Sequence, residues 1–261
     1  MAKNLTLGRG ELLFAQYATG TQNPKGERYL GNSPEFNATI ESENLDHFDS
    51  DHGINEKDES IPLSTNRTGS FITDNIDPAN VALFFFGEKT IFSVAGGAVS
   101  DELINGVEPG LTYQLGMTAT NPTGARMLSN VTAPVVTDAD TPATTYVAGT
   151  DYTIDLTLGR LTVVEGGGIP EDANLSVDYT TLASSRTRII SGSTPIVGAL
   201  RYIAFNPAGQ QLDWYMPYVK ISPNGDYALK GDEWQQIPFN IEILKKTGFE
   251  ALYIDGRAYA P

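Results

Sequence analysis

Cysteine is absent from the 261 residues. That removes disulfides, Cys-ligated zinc, iron–sulfur clusters and thiol nucleophiles together. Histidine is nearly absent: only His47 and His52 occur, so a Ser-His-Asp triad would have to use one of them. Cationic residues are scarce, with 17 Lys and Arg against 32 Asp and Glu and a formal net charge of −15. Nucleic-acid binding needs Lys and Arg to replace the counterions of phosphate, so this balance argues against a sequence-reading DNA or RNA module. Long apolar runs are missing too. The most apolar stretch is Val81–Phe86, far short of the roughly 20 residues that span a bilayer. Met1–Gly10 is polar and lacks the apolar core of a secretory signal, which reads as a protein released into the cytoplasm. No GxxxxGK[ST], GxGxxG, GxSxG or SxxK pattern occurs.

What is present is β patterning. The length suits one large β domain or two ordinary ones, and 26 Gly and 15 Pro are scattered rather than gathered into a linker. Leu12–Tyr17 reads as a strand. Tyr29–Phe48 and the return through Ile61, Leu63, Thr65 and Phe71–Thr73 read as two long antiparallel arms, joined by the acidic stretch Asp49–Glu59. Asp77 as N-cap, Pro78 at the first helical position and Gly87 as a stop predict one short helix over about 78–86. Turn signals at Leu158-Gly159-Arg160 and Gly166-Gly167-Gly168 divide short strands in the middle of the chain. The expectation is a mostly β protein in which a small β unit, residues 118–185, is inserted between parts 1–117 and 186–261 of a larger β fold. Trp214 and Tyr215 are neighbours on a strand and so point to opposite faces.

The charge is concentrated. Residues 41–60 carry one Lys against eight acids, and residues 101–185 carry two Arg against eleven. Asp46-His47-Phe48-Asp49-Ser50-Asp51-His52 holds metal-ligand residue types. Its spacing fits no calcium-loop register: Asp49 as first ligand puts Gly53 fifth instead of sixth and Ser60 where Glu is needed. The stretch reads as a solvated or subunit-contacting loop. Sequons at Asn4, Asn37, Asn66, Asn130 and Asn174 carry no meaning without a secretory route.

Several segments in order resemble the major tail tube proteins of long-tailed, non-contractile bacteriophages. They are Gly8-Arg9-Gly10-Glu11-Leu12, Gly26-Glu27-Arg28-Tyr29-Leu30-Gly31-Asn32, Leu45-Asp46-His47-Phe48 and Asn66-Arg67-Thr68-Gly69-Ser70. They continue with Asp74-Asn75-Ile76-Asp77-Pro78, Leu83-Phe84-Phe85-Phe86-Gly87, Gly198-Ala199-Leu200-Arg201-Tyr202, Tyr215-Met216-Pro217-Tyr218-Val219-Lys220 and Leu229-Lys230-Gly231-Asp232-Glu233-Trp234-Gln235. Within the insertion, Tyr152-Thr153-Ile154-Asp155 and Val177-Asp178-Tyr179 resemble hairpins of virion β modules of immunoglobulin-like type.

The resemblance implies a tail-tube β-sandwich or half-barrel that forms hexameric rings stacked into a virion tail tube, made in the host bacterial cytoplasm. Its partners would be other copies of itself, a tape-measure protein and tail-terminator and distal-tail proteins. DNA would pass through the lumen without sequence-specific binding, and no cofactor, catalytic residue, metal or membrane anchor would be involved. The hairpin 41–65 would make contacts between rings through Asp46, His47, Phe48, Asp49, Asp51, His52, Asn55 and Lys57, and Glu41 and Glu43 would line the lumen. An acidic wall repels phosphate and keeps DNA sliding, and that repulsion decays over about 8 Å at physiological salt. Two other readings compete: a monomeric β-sandwich module binding carbohydrate or calcium, and a hydrolase using two carboxylates, which has no spacing signature.

Overall fold

The computed structural model describes residues 5–51, 53–141 and 144–257, and the strands come in chain order as follows. β1 (Gly10–Gln16), β2 (Arg28–Tyr29), β3 (Glu35–Asp49) and β4 (Glu56–Thr73) precede the helix α1 (Pro78–Phe84). Next are β5 (Glu88–Val94), β6 (Gly97–Val107), β7 (Thr112–Gln114), β8 (Val135–Asp138), β9 (Tyr152–Asp155) and β10 (Arg160–Val163). Then come β11 (Ala173–Thr181), β12 (Ser184–Ile190), β13 (Ile196–Ala204), β14 (Leu212–Pro223), β15 (Ile237–Ile243) and β16 (Tyr253–Gly256). The mostly β fold with one short helix is as expected, and the pairing is antiparallel in several sheets.

The chain divides into two compact units, the first comprising Met1–Thr90 and Ile189–Pro261 and the second Ile91–Arg188. The insertion therefore starts well before residue 118. The cause is long-range pairing. Much of β6 pairs with β11, with Leu103 opposite Ser176 and Val99 opposite Tyr179, and β7 pairs with β10. Strands β6 and β7 look in sequence like a continuation of what precedes them, but their partners lie up to about 80 residues later. A cut at 118–185 would take β11 away from β6.

Unit one is built on an eight-stranded sheet of order β2-β1-β13-β14-β15-β4-β3, with β16 joined to β14. Alternation along the strands, shifted by one residue in β14 where the pairing with β13 slips between Met216 and Val219, puts Leu12, Phe14, Leu200, Met216, Val219, Ile221, Ile237, Phe239 and Ile241 on one face, all buried. Phe36, Phe71 and Phe239 stand side by side across β3, β4 and β15, and the rings of Phe71 and Phe239 stack at 4.8 Å. Helix α1 covers this face: Leu83 and Phe84 join the core, and Phe84 meets Phe239 edge-on at 6.0 Å. Trp214 packs on this core, whereas Tyr215 packs on the opposite face with Ala15, Tyr17 and Ala199. The opposed facing expected of these neighbours is thus observed.

The helix starts as its sequence dictates. Asp77 Oδ1 accepts from the Ala79 amide at 2.7 Å, and Pro78 follows. It also buries one polar side chain, Asn80, whose Nδ2 donates to the Leu30 and Asn75 carbonyls and whose Oδ1 accepts from Arg28. Its end differs from expectation by two residues. The left-handed position is Phe86, at φ 51, and the Gly87 amide reaches back to the Ala82 carbonyl at 2.7 Å. Gly87 serves a different need, close approach: a Cβ there would lie 2.2 Å from the Ile190 carbonyl oxygen. Backbone cannot rotate away, so Gly87→Ala is expected to cost about 1–3 kcal/mol, as overpacking does. The urea midpoint measures it, and a midpoint equal to the parent's would refute the contact.

Unit two folds around its own core. Two three-stranded sheets, β7-β10-β9 and β6-β11-β8, enclose Val107, Leu115, Val136, Leu161, Val163, Leu175 and Val177. Its polar anchor is Glu102, whose carboxylate accepts from the Gly116 amide at 2.7 Å and from the Tyr179 hydroxyl at 2.6 Å. Burial first, and Glu102 second, push the Tyr179 phenol well above its ordinary value of 10.0. Burial does the same, less strongly, to Tyr146 and Tyr152. Because the folded values are raised, the stability these groups contribute is complete below pH 10 and declines above it, where unfolded tyrosines ionise first. Unfolding followed from pH 8 to 11 is expected to show that decline, with a shallower slope in Tyr179→Phe. The same variant loses a hydrogen bond to a charged group, worth about 1.5–3 kcal/mol at neutral pH. Equal slopes in parent and variant would contradict the assignment.

Candidate functional site

The long arms β3 and β4 share one ladder from Glu35 opposite Ile72 to Asp49 opposite Glu56. Only the base belongs to the core, through Phe36 and Phe71. Beyond it every described residue from 40 to 66 is exposed. The arm nevertheless carries large apolar side chains: Ile40, Leu45, Phe48, Ile54, Ile61 and Leu63. Leu45 and Ile61 are direct cross-strand partners, at 60% and 52% exposure. The register breaks twice on the β4 side, where Leu63 and Asp58 are the extra residues. Such bulges twist a ribbon and re-aim its side chains.

The residues expected at a ring contact do gather at the distal end of this arm. Asp46 accepts from Lys57 Nζ at 2.7 Å and from Ser60 at 2.7 Å. The Lys57 bond, then Ser60, hold its carboxyl below the usual carboxylate range. His47 Nδ1 stands 2.6 Å from Asp58, whose carboxyl is lowered chiefly by that hydrogen bond. Phe48 faces Lys57, Asp49 ends β3 and accepts from the Asp51 amide at 2.9 Å, and Asn55 immediately precedes β4. His52 lies outside the described residues. Asp46 and His47 are consecutive on a strand and face opposite sides, so their side chains do not converge. Among the described residues no group of three His, Asp or Glu could hold a metal.

Glu41 and Glu43 stand opposite Asn66 and Ser64. By alternation from Phe36 they lie on the sheet face away from the core. That face also carries Lys220 paired with Glu242 at 2.9 Å and Arg201 paired with Glu27 at 2.8 Å. Charge is thus paired along β13–β15, whereas Glu41 and Glu43 make no ion pair among the described residues.

Two features went unassigned in the sequence. Trp234 lies in the loop before β15 and is 94% exposed; its place in a Gly- and acid-rich stretch was the available signal. Arg186 and Arg188 project from one side of β12, and their spacing of two was the signal. Among the described residues no helix is long and apolar enough to cross a membrane.

A family model matches residues 5–250 of the chain, that of the family described as protein of unknown function UCP028589. No curated protein matches it.

Proposed function

The chain belongs to that family of unknown function, and we propose that it is a structural, self-assembling tube subunit, the major tail tube protein of a long-tailed bacteriophage. The observation that carries this reading is the arm. A two-stranded hairpin is at best marginally stable in water by itself, and exposed apolar side chains on a ribbon favour burial against a partner. Here the ribbon extends well past its own core with Leu45, Phe48, Ile61 and Leu63 uncovered. Packing against another copy would bury them, at about 1.5–3 kcal/mol for each side chain fully covered.

Two further facts support the reading. The sheet has open edges at both ends, since β3 is terminal and β2 pairs only Arg28 and Tyr29 with β1. Closing sheets across subunits removes such edges. The net charge of −15 suits a conduit to which DNA must not adhere. In this reading the rings are hexameric as the resemblance implies, Glu41 and Glu43 face the lumen, and the distal arm joins one ring to the next. The protein is then a virion component without an active site.

Sedimentation of the purified full-length chain tests it. Concentration-dependent growth from monomer to rings and longer particles is expected, and Leu45→Asp is expected to suppress the long particles. A monomer at every concentration and salt would overturn the proposal.

A further inference from the structure

Unit two holds eleven Asp and Glu but only four cationic side chains, Arg126, Arg160, Arg186 and Arg188. Two of the four share one aromatic ring and one acceptor. Arg186 and Arg188 lie over the ring of Phe92, with guanidinium carbons 4.8 Å and 3.6 Å from its centroid. Their Nη2 atoms both donate to Asn121 Oδ1, at 3.1 Å and 2.6 Å. Sharing one acceptor holds the two charged heads within roughly 6 Å, where like charges repel. Arg126 adds a third positive charge acting on Arg186.

The acceptors that Arg186 meets are neutral oxygens: Asn121 Oδ1, Thr123 Oγ1 and the Gly124 carbonyl. All three bonds use Nη2, so among the described residues its Nε and Nη1 donors remain unspent. The frame is fixed from behind. Asn121 Nδ2 donates to the Gly124 carbonyl at 2.8 Å, and the Asn121 amide is tied to Thr118. Phe92 supports both guanidinium planes by cation–π contact. A loop clamp accounts for Arg186 and Arg188 alone. It does not account for Arg126, whose guanidinium makes no hydrogen bond or ion pair among the described residues.

We propose that Arg186 and Arg188, held over Phe92 and Asn121, form with the nearby charge of Arg126 an oxyanion-binding site that takes a phosphate or carboxylate group. The guanidinium fork matches paired anionic oxygens, and a fork already held in place loses little freedom on binding. The site belongs to unit two and does not depend on the tube reading. Within an otherwise acidic unit it is a place where a negatively charged group is attracted instead of repelled.

Titration calorimetry of the full-length protein at low salt tests this with two probes, inorganic phosphate and glucuronate. Saturable one-site binding of at least one probe is expected, with phosphate preference indicating a phosphate-bearing ligand and glucuronate preference an acidic sugar. Arg186→Gln and Arg126→Gln are each expected to weaken it about tenfold or more, as loss of a charge-assisted bond does. Arg186→Lys, which keeps the charge but not the fork, is expected to fall between. Lys230→Gln, in an exposed loop of unit one, is expected to bind as the parent does. Arg126→Gln removes no internal bond and carries the test if Arg186→Gln unfolds. Binding of neither probe, parent-like binding by Arg126→Gln, or an equal loss in Lys230→Gln would each overturn the site.

Discussion

Deleting Asp49–Lys57 and joining Phe48 to Asp58 through Asn-Gly is expected to leave unit one folded and to abolish tube growth. Every described residue removed is exposed, and the core of unit one includes none of them. Surface changes of this kind usually stay within about 0.5 kcal/mol, so the melting temperature is expected to move by no more than a few degrees. Asn-Gly suits a two-residue hairpin, since both central positions need positive φ. The remaining ladder, from Glu35 opposite Ile72 to His47 opposite Glu59, is kept. What is lost is the distal tip from Asp49 to Lys57, together with the Lys57–Asp46 ion pair. Thermal unfolding and sedimentation on the same preparation separate the two effects. Normal long particles from the deletion would remove the arm from the assembly mechanism.

Phe239→Ala is expected to do the reverse, damaging the subunit itself. Phe239 is fully buried, stacks on Phe71 at 4.8 Å and meets Phe84 of α1 at 6.0 Å. It thus ties the middle of the sheet to the helix that covers it. Emptying such a site costs about 3–5 kcal/mol, a large part of the roughly 5–15 kcal/mol that holds a protein folded. The expected drop in melting temperature is roughly 10 °C or more. Assembly weakens as well, through loss of folded subunit. Phe239→Leu, which refills most of the volume, is expected to recover over half of the loss. A change under about 1 kcal/mol in Phe239→Ala would mean that the sheet and helix do not depend on this contact.

The parts of the fold that were legible in the sequence are those governed by local rules. Alternation through Phe36, Ala38 and Ile40 marked the arm, and Asp77-Pro78 marked the helix start. The opposite facing of Trp214 and Tyr215 followed from the period of a strand. The parts that were not legible depend on partners distant in sequence. The helix exit was ascribed to Gly87 as a stop, whereas Phe86 takes the left-handed position and Gly87 makes room for the Ile190 carbonyl. The boundary of unit two was missed because β6 finds its partner in β11, and a strand's own residues do not name its neighbour.

The candidate site divides in the same way. The acidic tip between two alternating segments was visible as a pattern, and the structure places Asp46, His47, Phe48 and Lys57 together at the end of the arm. The pairing of Asp46 with Lys57 and of His47 with Asp58 was not visible, because bulges at Leu63 and Asp58 shift the register of one arm against the other. The arginine cluster escaped notice for a related reason. Its members lie at 126, 186 and 188, and only the folded unit brings the loop 118–124 to β12.

Electron microscopy of the full-length protein at high concentration decides whether it builds a tube. Rings with sixfold symmetry that stack into open tubes, with density bridging successive rings at the arm, are the predicted result. A field of separate monomers with no ring at any concentration or salt would contradict it.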